Sequence, residues 1–320
     1  ERNNCSVDPD PYSGQIPNTK SKCNCDTFNI DVFIRPGPPV ISKILVPNSP
    51  SQHNEPGGEF TYNLSIYNPS TTSSLFIHQL VDVIDISGDG IVDTTLDLWD
   101  FNNNTNPDIQ ITNSTCIPGN PVEIPASGTY SCVFTVAILD SDLPDDQSDE
   151  IYNDVIKAVV LDKTDQGIGD GSTCPVMVSP TIGDNCSQPV QVTIANLPPT
   201  ILVEKTANPT SVMEPGGWVE YTLTVTNTSG NHDAMLNILS LVDNINGSDF
   251  TLDQVGDCVT NSSFDNQVPY SCSFSRFILG DAFTFDEDTI TVVAEDNEGD
   301  IVESSDNAVV AITNVESNIT

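Results

Sequence analysis

The sequence predicts an all-β chain, two tandem β-sandwiches preceded by an extra strand segment. Three observations carry that prediction. The stretch TANPTSVMEPGGWVEYTLTVTNTS at 206–229 has a degenerate earlier copy, VPNSPSQHNEPGGEFTYNLSIYNPS. Each copy alternates apolar with polar residues: Phe60, Tyr62, Leu64 and Ile66 against Thr61, Asn63 and Ser65, then Val219, Tyr221, Leu223 and Val225 against Glu220, Thr222 and Thr224. That period of two marks half-buried strands. Turn-forming Gly, Pro, Asn and Asp recur at about ten-residue spacing, as in a sandwich built from short strands.

The elements follow in order. FNIDVFIRPGPP at 28–39 alternates as Phe28, Ile30, Val32 and Ile34 and aligns with PVQVTIANLPP, the closing strand of the first repeat. It looks like a last strand with no domain of its own. Residues 1–39 are therefore set apart, 40–197 form the first repeat with an insertion at about 85–115, and 198–320 form the second. EPGG precedes the patterned strand in both, Pro restricting φ and Gly permitting a positive one. Matches continue with LVD at Leu80 and Leu241, YSC.F at Tyr130 and Tyr270, and DVIKAVVLDKTDQG against DTITVVAEDNEGD. VQVTIAN and AVVAITN close the two units. DAMLNILSLVDN alone has helical length, and its spacing also suits a strand, so the reading is two immunoglobulin-like sandwiches.

Composition narrows the function. Nine Lys and Arg stand against 46 Asp and Glu, a net charge of −37. Such a surface repels nucleic acid and anionic lipid and favours cations as partners. No run approaches the roughly 18 apolar residues of a membrane helix. The sequence has neither an initiator Met nor a signal-like leader and reads as a mature or trimmed form.

Nine cysteines with three histidines point to disulfides rather than zinc. Cys116 with Cys132 and Cys258 with Cys272 occupy equivalent places in the repeats, and Cys174 with Cys186 is a third local pair. Each of the equivalent bridges would contribute about 3 kcal/mol in the chain-entropy model. Tyr130 and Tyr270, two residues before a Cys, resemble a tyrosine corner, but the partner Cys is too close for an antibody-type bridge between sheets. A local staple is expected. Cys5, Cys23 and Cys25 remain, so Cys5 with either of the others leaves an odd thiol. The expected compartment is oxidising and extracellular.

Asn-X-Ser/Thr sequons occur at Asn4, Asn63, Asn103, Asn113, Asn185, Asn227, Asn246, Asn261 and Asn318. Asn4 and Asn185 have Cys in the middle and are poorer acceptors. Asn63, Asn103, Asn113, Asn227, Asn246 and Asn261 are the candidate sites for N-linked glycans.

Catalytic signatures do not emerge. His53, His78 and His232 sit in unrelated contexts, and the expectation is no enzyme, with abundant acids making any glycosidase-like pair uninformative. Calcium is the better candidate. DISGDGIVDTTLD at 85–97 places Asp85, Ser87 and Asp89 at alternate positions, then Gly90, the Ile91 carbonyl and Asp93, like the first positions of an EF-hand loop. The twelfth position is Leu96, so closure would fall to Asp97. The acidic stretches at 140–150 and 295–300 are weaker candidates. Trp218 is expected at a core edge. Trp99, in the insertion, is expected to anchor its loop, with carbohydrate binding as the alternative.

KTANPTSVMEPGGWVEYTLTVTNTS, LSLVDNINGS, YSCSF and DTITVVAEDNEGDIVESSDNAVVAIT resemble the β-sandwich repeats of prokaryotic surface and extracellular proteins, closely over about 200–314 and loosely over about 40–196. The resemblance implies a stalk, adhesin or matrix module with no catalytic residues to carry over. The leading expectation is a structural subunit of an extracellular filament, assembling head to tail with copies of itself. Phe28, Ile30, Val32 and Ile34 would complete a neighbour's sandwich. Pairing of that segment within its own first repeat, or an excerpt from a longer array, is the plainer reading of the same residues. The alternative function is an adhesin or stalk module with a carbohydrate or host-surface ligand at the insertion.

Overall fold

A computed structural model describes residues 32–86, 90–100, 106–119, 121–139, 149–174 and 181–316. Residues 36–320 form one compact unit. Val32–Arg35 belong to the other unit and carry no strand there. Every regular element among the described residues is a strand, because alternation leaves no continuous helical stripe to bury.

In the first repeat the strands are β1 (Val40–Leu45), β2 (Gln52–Asn54), β3 (Gly57–Tyr67), β4 (Leu75–Ile86), β5 (Thr94–Asp97) and β6 (Ile109–Ser114). They continue with β7 (Val122–Ile124), β8 (Thr129–Leu139), β9 (Glu150–Leu161), β10 (Asp184–Cys186) and β11 (Val190–Ala195). One sheet has the order β1-β3-β8-β6; the other runs β2-β11-β9-β4-β5, with β10 on β9 and β7 on β4. The second repeat has β12 (Ile201–Asn208), β13 (Ser211–Met213), β14 (Gly216–Asn227), β15 (Met235–Ile245) and β16 (Ser248–Thr251). Its remaining strands are β17 (Ser263–Asp265), β18 (Tyr270–Leu279), β19 (Thr284–Glu295) and β20 (Ile301–Thr313). Its sheets are β12-β14-β18 and β13-β20-β19-β15-β16, with β17 on β15. The fold is two tandem immunoglobulin-like sandwiches.

The inward sets read from the sequence are the two cores. Phe60, Tyr62, Leu64 and Ile66 pack with Leu80, Ile84, Phe134 and Ile156, all buried. Val219, Tyr221, Leu223 and Val225 do the same with Leu241, Phe274 and Ile290. Each such side chain contributes about 1.5–3 kcal/mol on burial. The EPGG turn works through its first glycine: Gly57 has φ +105°, and a Cβ there would stand 2.1 Å from the Ile138 carbonyl oxygen. Gly216 repeats this against Ile278 at 1.9 Å. DAMLNILSLVDN is strand, bulged between Ile238 and Ser240, as β4 is between Ile77 and Gln79.

Each sandwich also buries an ion network. Lys43 Nζ lies 2.7 Å from Asp82 and 3.3 Å from Asp154, both side chains fully buried, and above the Tyr62 ring at 4.0 Å. Tyr62 donates its hydroxyl to Asp154. Lys205 repeats the arrangement with Asp243 and Asp288 over Tyr221.

Trp218 departs from expectation. It precedes inward-facing Val219, so strand parity turns it outward, where it is 67% exposed and meets Phe277 edge-on at 5.5 Å.

Candidate functional site

The two repeats differ most at one sheet edge. In the first, β8 is covered by β6, which lies in the insertion and pairs Ile109 with Ile138 and Ile111 with Val136. Ile109 and Ile111 are both buried by this pairing. The second repeat passes from β16 to a short loop and forms no equivalent strand. Its β18, the counterpart of β8, pairs only with β14 among the described residues. Asp257 caps part of the exposed edge: its amide donates to the Ser273 carbonyl at 3.1 Å, and its carboxylate accepts the Ser273 amide. Beyond that cap the edge runs open through Ser275, Phe277 and Leu279, all exposed. In β8 the Leu139 amide donates to the Asp108 carbonyl at 2.8 Å. Leu279 is its equivalent in β18. Arg276 occupies the place that Val136 fills beneath β6, and its Nε is sealed without a partner among the described residues.

Of the assembly residues expected from sequence, Phe28 and Ile30 lie outside the described residues. Val32 and Ile34 are exposed, and residues 32–39 take no part in a strand ladder.

The loop expected to bind calcium joins β4 to β5 as a hairpin. Asp85 is buried, and its Oδ2 accepts the Gly90 amide at 3.2 Å. Asp93 Oδ2 accepts the Ile86 amide at 2.7 Å, and Ile91 is exposed. Ser87 and Asp89 lie outside the described residues. Leu96 belongs to the core, and Asp97 caps Trp99 and Asp100 through their amides at 2.8 and 3.2 Å. Most of the 140–150 stretch is outside the described residues as well.

Disulfides join Cys116 to Cys132, Cys174 to Cys186 and Cys258 to Cys272. Cys5, Cys23 and Cys25 are outside the described residues. A tyrosine latch accompanies two of the bridges. Tyr270 donates to the Val259 carbonyl at 2.9 Å, and Tyr130 donates to the Ile117 carbonyl at 3.3 Å. In each case the acceptor follows the first Cys, so the staple is local. Asp257 sits close to Cys258 and Cys272, but their bond leaves no thiolate for a metal.

Asn113, Asn246 and Asn261 are exposed and Asn63 is half-buried, while Asn103 is outside the described residues. Asn227 is a correction. It is 4% exposed, and its amide nitrogen, the atom a glycan would occupy, donates to the Asp233 carbonyl at 2.6 Å. Trp99 is half-buried with its Nε1 3.4 Å from the Tyr130 hydroxyl, which anchors the loop. His53 stacks edge-on against Phe60, and no helix among the described residues is long and apolar enough to cross a membrane.

No family model and no curated protein matches the chain. Solved structures that it resembles include the YadV chaperone, with a TM-score of 0.21, 11% identity, and coverage of 84% of this chain and 98% of that one. A 1.5-MDa bacterial ice-binding adhesin gives a TM-score of 0.28 and 13% identity over 88% of this chain and 66% of that chain. A Ca2+-stabilized adhesin of an Antarctic bacterium gives 0.24 and 12% over 87% and 50%.

Proposed function

We propose that this chain is a structural unit of an extracellular or cell-surface assembly, in which residues 28–39 of one copy add as a strand to the β18 edge of the next. The observation that carries this reading is the pair of unequal edges. An identical sheet edge is filled from within by β6 in the first repeat and left open along Ser275–Leu279 in the second. An open edge with exposed Phe277 and Leu279 is a template for strand addition, which satisfies backbone groups and buries apolar area together. The segment 28–39 carries the alternation such a donor needs. Three disulfides fit an oxidising compartment. The work of this protein is then assembly, without turnover, and N-glycans at Asn113, Asn246 or Asn261 would sit on exposed loops and strand ends.

The test is sedimentation and negative-stain imaging of the full chain beside two variants. Ser275→Pro removes an edge amide that pairs with nothing among the described residues, where proline is tolerated. Deletion of residues 28–39 removes the donor. Filaments from the parent chain, with folded monomers from both variants, are expected. Monomers in all three would sink assembly and leave an adhesin stalk, with the exposed Trp218–Phe277 pair as the surface to probe with carbohydrate.

A further inference from the structure

The buried ion network of the first sandwich places an amine against a carboxyl group in a dry core. Lys43 is the one buried residue of β1, at an inward position paired with Leu64. Its side chain is sealed from solvent, as are those of Asp82 on β4 and Asp154 on β9. Lys43 Nζ lies 2.7 and 2.8 Å from the two carboxylate oxygens of Asp82, within reach of the carbon between them. Asp154 Oδ2 stands 3.3 Å from the same nitrogen and accepts the Tyr62 hydroxyl, while Asp154 Oδ1 is sealed with no hydrogen-bond partner among the described residues. The stacked rings of Tyr62 and Phe134 wall the group, at 4.0 and 5.3 Å from Nζ.

As a device for stability this arrangement is poor. Taking charges out of water costs so much that well-packed apolar side chains often do as well as a buried ion pair. The same dryness favours another outcome, because burial disfavours the charged forms of amine and acid alike, and a carboxyl group that holds a proton is an electrophile. Burial raises the pKa of Asp82, with Lys43 opposing the rise and Asp154 adding to it.

We propose that Lys43 and Asp82 condense to an intramolecular isopeptide bond, with Asp154 as the proton carrier. The Lys43 ammonium gives one proton to Asp82, leaving a neutral amine beside a carboxylic acid. Nζ attacks Cγ, and the N–C bond forms as the carbonyl electron pair moves to oxygen. Asp154 takes a second proton from the nitrogen and delivers it to the Asp82 hydroxyl; the C–O bond breaks and one water leaves. The product is a secondary amide, Asp154 is regenerated, and no oxidant, cofactor or activating group is consumed. Asp154 Oδ1 then accepts the new amide N–H, which supplies the partner it lacks. The ion-paired form described above is the reactant, and until the bond forms its groups titrate and respond to substitution as ion pairs.

The second sandwich carries the same lysine without a free carrier. Lys205 lies against Asp243, but Asp288, the equivalent of Asp154, is 3.7 Å from Lys205 Nζ and accepts from Arg276 on both oxygens, at 2.6 and 2.5 Å. A carboxylate clamped by a guanidinium is held in its charged form and has no oxygen left to carry a proton. The bond therefore belongs to the first sandwich alone. Because β1 and β4 lie in opposite sheets, it joins the two layers of that sandwich covalently, so that a pull on β1 is borne by a chemical bond as well as by packing. This cross-link is independent of strand addition at the β18 edge.

The experiment is mass-spectrometric peptide mapping of the full chain, reduced and alkylated, after digestion with trypsin and a second protease. A free Lys43 is cut by trypsin and a linked one is not. The expected result is one branched peptide joining Lys43 to Asp82, lighter than its two parts by one water, with Lys205 in an unbranched peptide. Lys43→Arg keeps the cation but is no nucleophile, and Asp154→Asn keeps the shape of the carrier without its charge; the branched peptide is expected to be lost in both, with circular dichroism verifying the fold. The parent chain by itself decides whether the bond exists, so the outcome does not depend on a variant folding. Cleavage after Lys43 in the parent chain with no branched peptide would overturn the bond. A branch undiminished in folded Asp154→Asn would overturn the carrier, and a second branch at Lys205 would overturn the restriction to the first sandwich.

Discussion

The two sandwiches solve one electrostatic problem in two ways. In the first, a single cation, Lys43, faces Asp82 and Asp154, and the hydroxyl of Tyr62 supplies a further donor. In the second, Lys205 faces Asp243 and Asp288, and Arg276 reaches in from β18 to Asp288 at 2.6 Å and to Asp286. Register makes the correspondence explicit. Val136 pairs with Phe60 as Arg276 pairs with Val219, and Tyr152 and Asp286 precede Asp154 and Asp288 by the same two positions. The neutral pair Val136 and Tyr152 in one repeat is thus the charged pair Arg276 and Asp286 in the other. Where a strand covers the edge, the position beneath it is apolar; where the edge is open, an arginine that keeps part of its side chain in water takes that place. A buried ion network is therefore matched to the solvent access of its own sheet edge.

The largest effect should come from removing the cation. Lys43→Met leaves two buried carboxylates behind and is expected to cost about 3–5 kcal/mol, enough to unfold the first sandwich alone. Lys205→Met should cost less, about 1–3 kcal/mol, because Arg276 still serves Asp288. Trp99 and Trp218 report on the two sandwiches separately in denaturant titrations of single-Trp proteins. Equal losses would break the comparison.

The next test converts one solution into the other. Arg276→Val alone should cost about 2–3 kcal/mol by stranding Asp286 and Asp288. Adding Asp286→Tyr, which recreates the first repeat's pair, should return most of that loss. A double-mutant cycle reads the coupling, and strict additivity would mean that the two positions act independently.

The smallest effect is on pH dependence. Burial raises the pKa of Asp82, with Asp154 adding to the rise and Lys43 opposing it. Folded protein therefore holds that proton at a pH where the unfolded chain has released it. The resulting stabilisation is present at low pH and is lost as pH rises from the ordinary carboxylate range through the raised folded value. Burial also raises Asp243, but Lys205 and Arg276 both oppose the shift there. Between pH 5 and pH 8 the urea midpoint of the first sandwich should fall more than that of the second, and Asp82→Asn should flatten the difference. A midpoint that climbs with pH in the first sandwich would reverse this assignment.

The core was legible because alternation is a local property. Phe60 through Ile66 and Val219 through Val225 declare an inward face in any seven-residue window, and EPGG declares its turn. Trp218 was misplaced for want of one step of parity. Asn227 carries a sequon, yet its amide is committed to a carbonyl six residues on, a contact that depends on the turn between them. The calcium expectation for the 85–93 loop rests on acids at alternate positions, and two of its residues, Ser87 and Asp89, lie outside the described residues.

By itself the sequence determined the fold class, the duplication, the inward faces of the main strands and an acidic, disulfide-forming chain. All of these follow from period, composition and repeated spacing within a single stretch of chain. Only the tertiary structure decided which sheet edge stays open, which lysines are buried against which aspartates, and which acids converge at the joint. Those outcomes depend on how strands far apart in sequence pair and pack: Glu55 and Glu298 meet across more than two hundred residues, and Lys43 of one sheet meets Asp154 of the other across the sandwich. An acid in a chain with 46 of them acquires a role only when folding removes its water and chooses its neighbours.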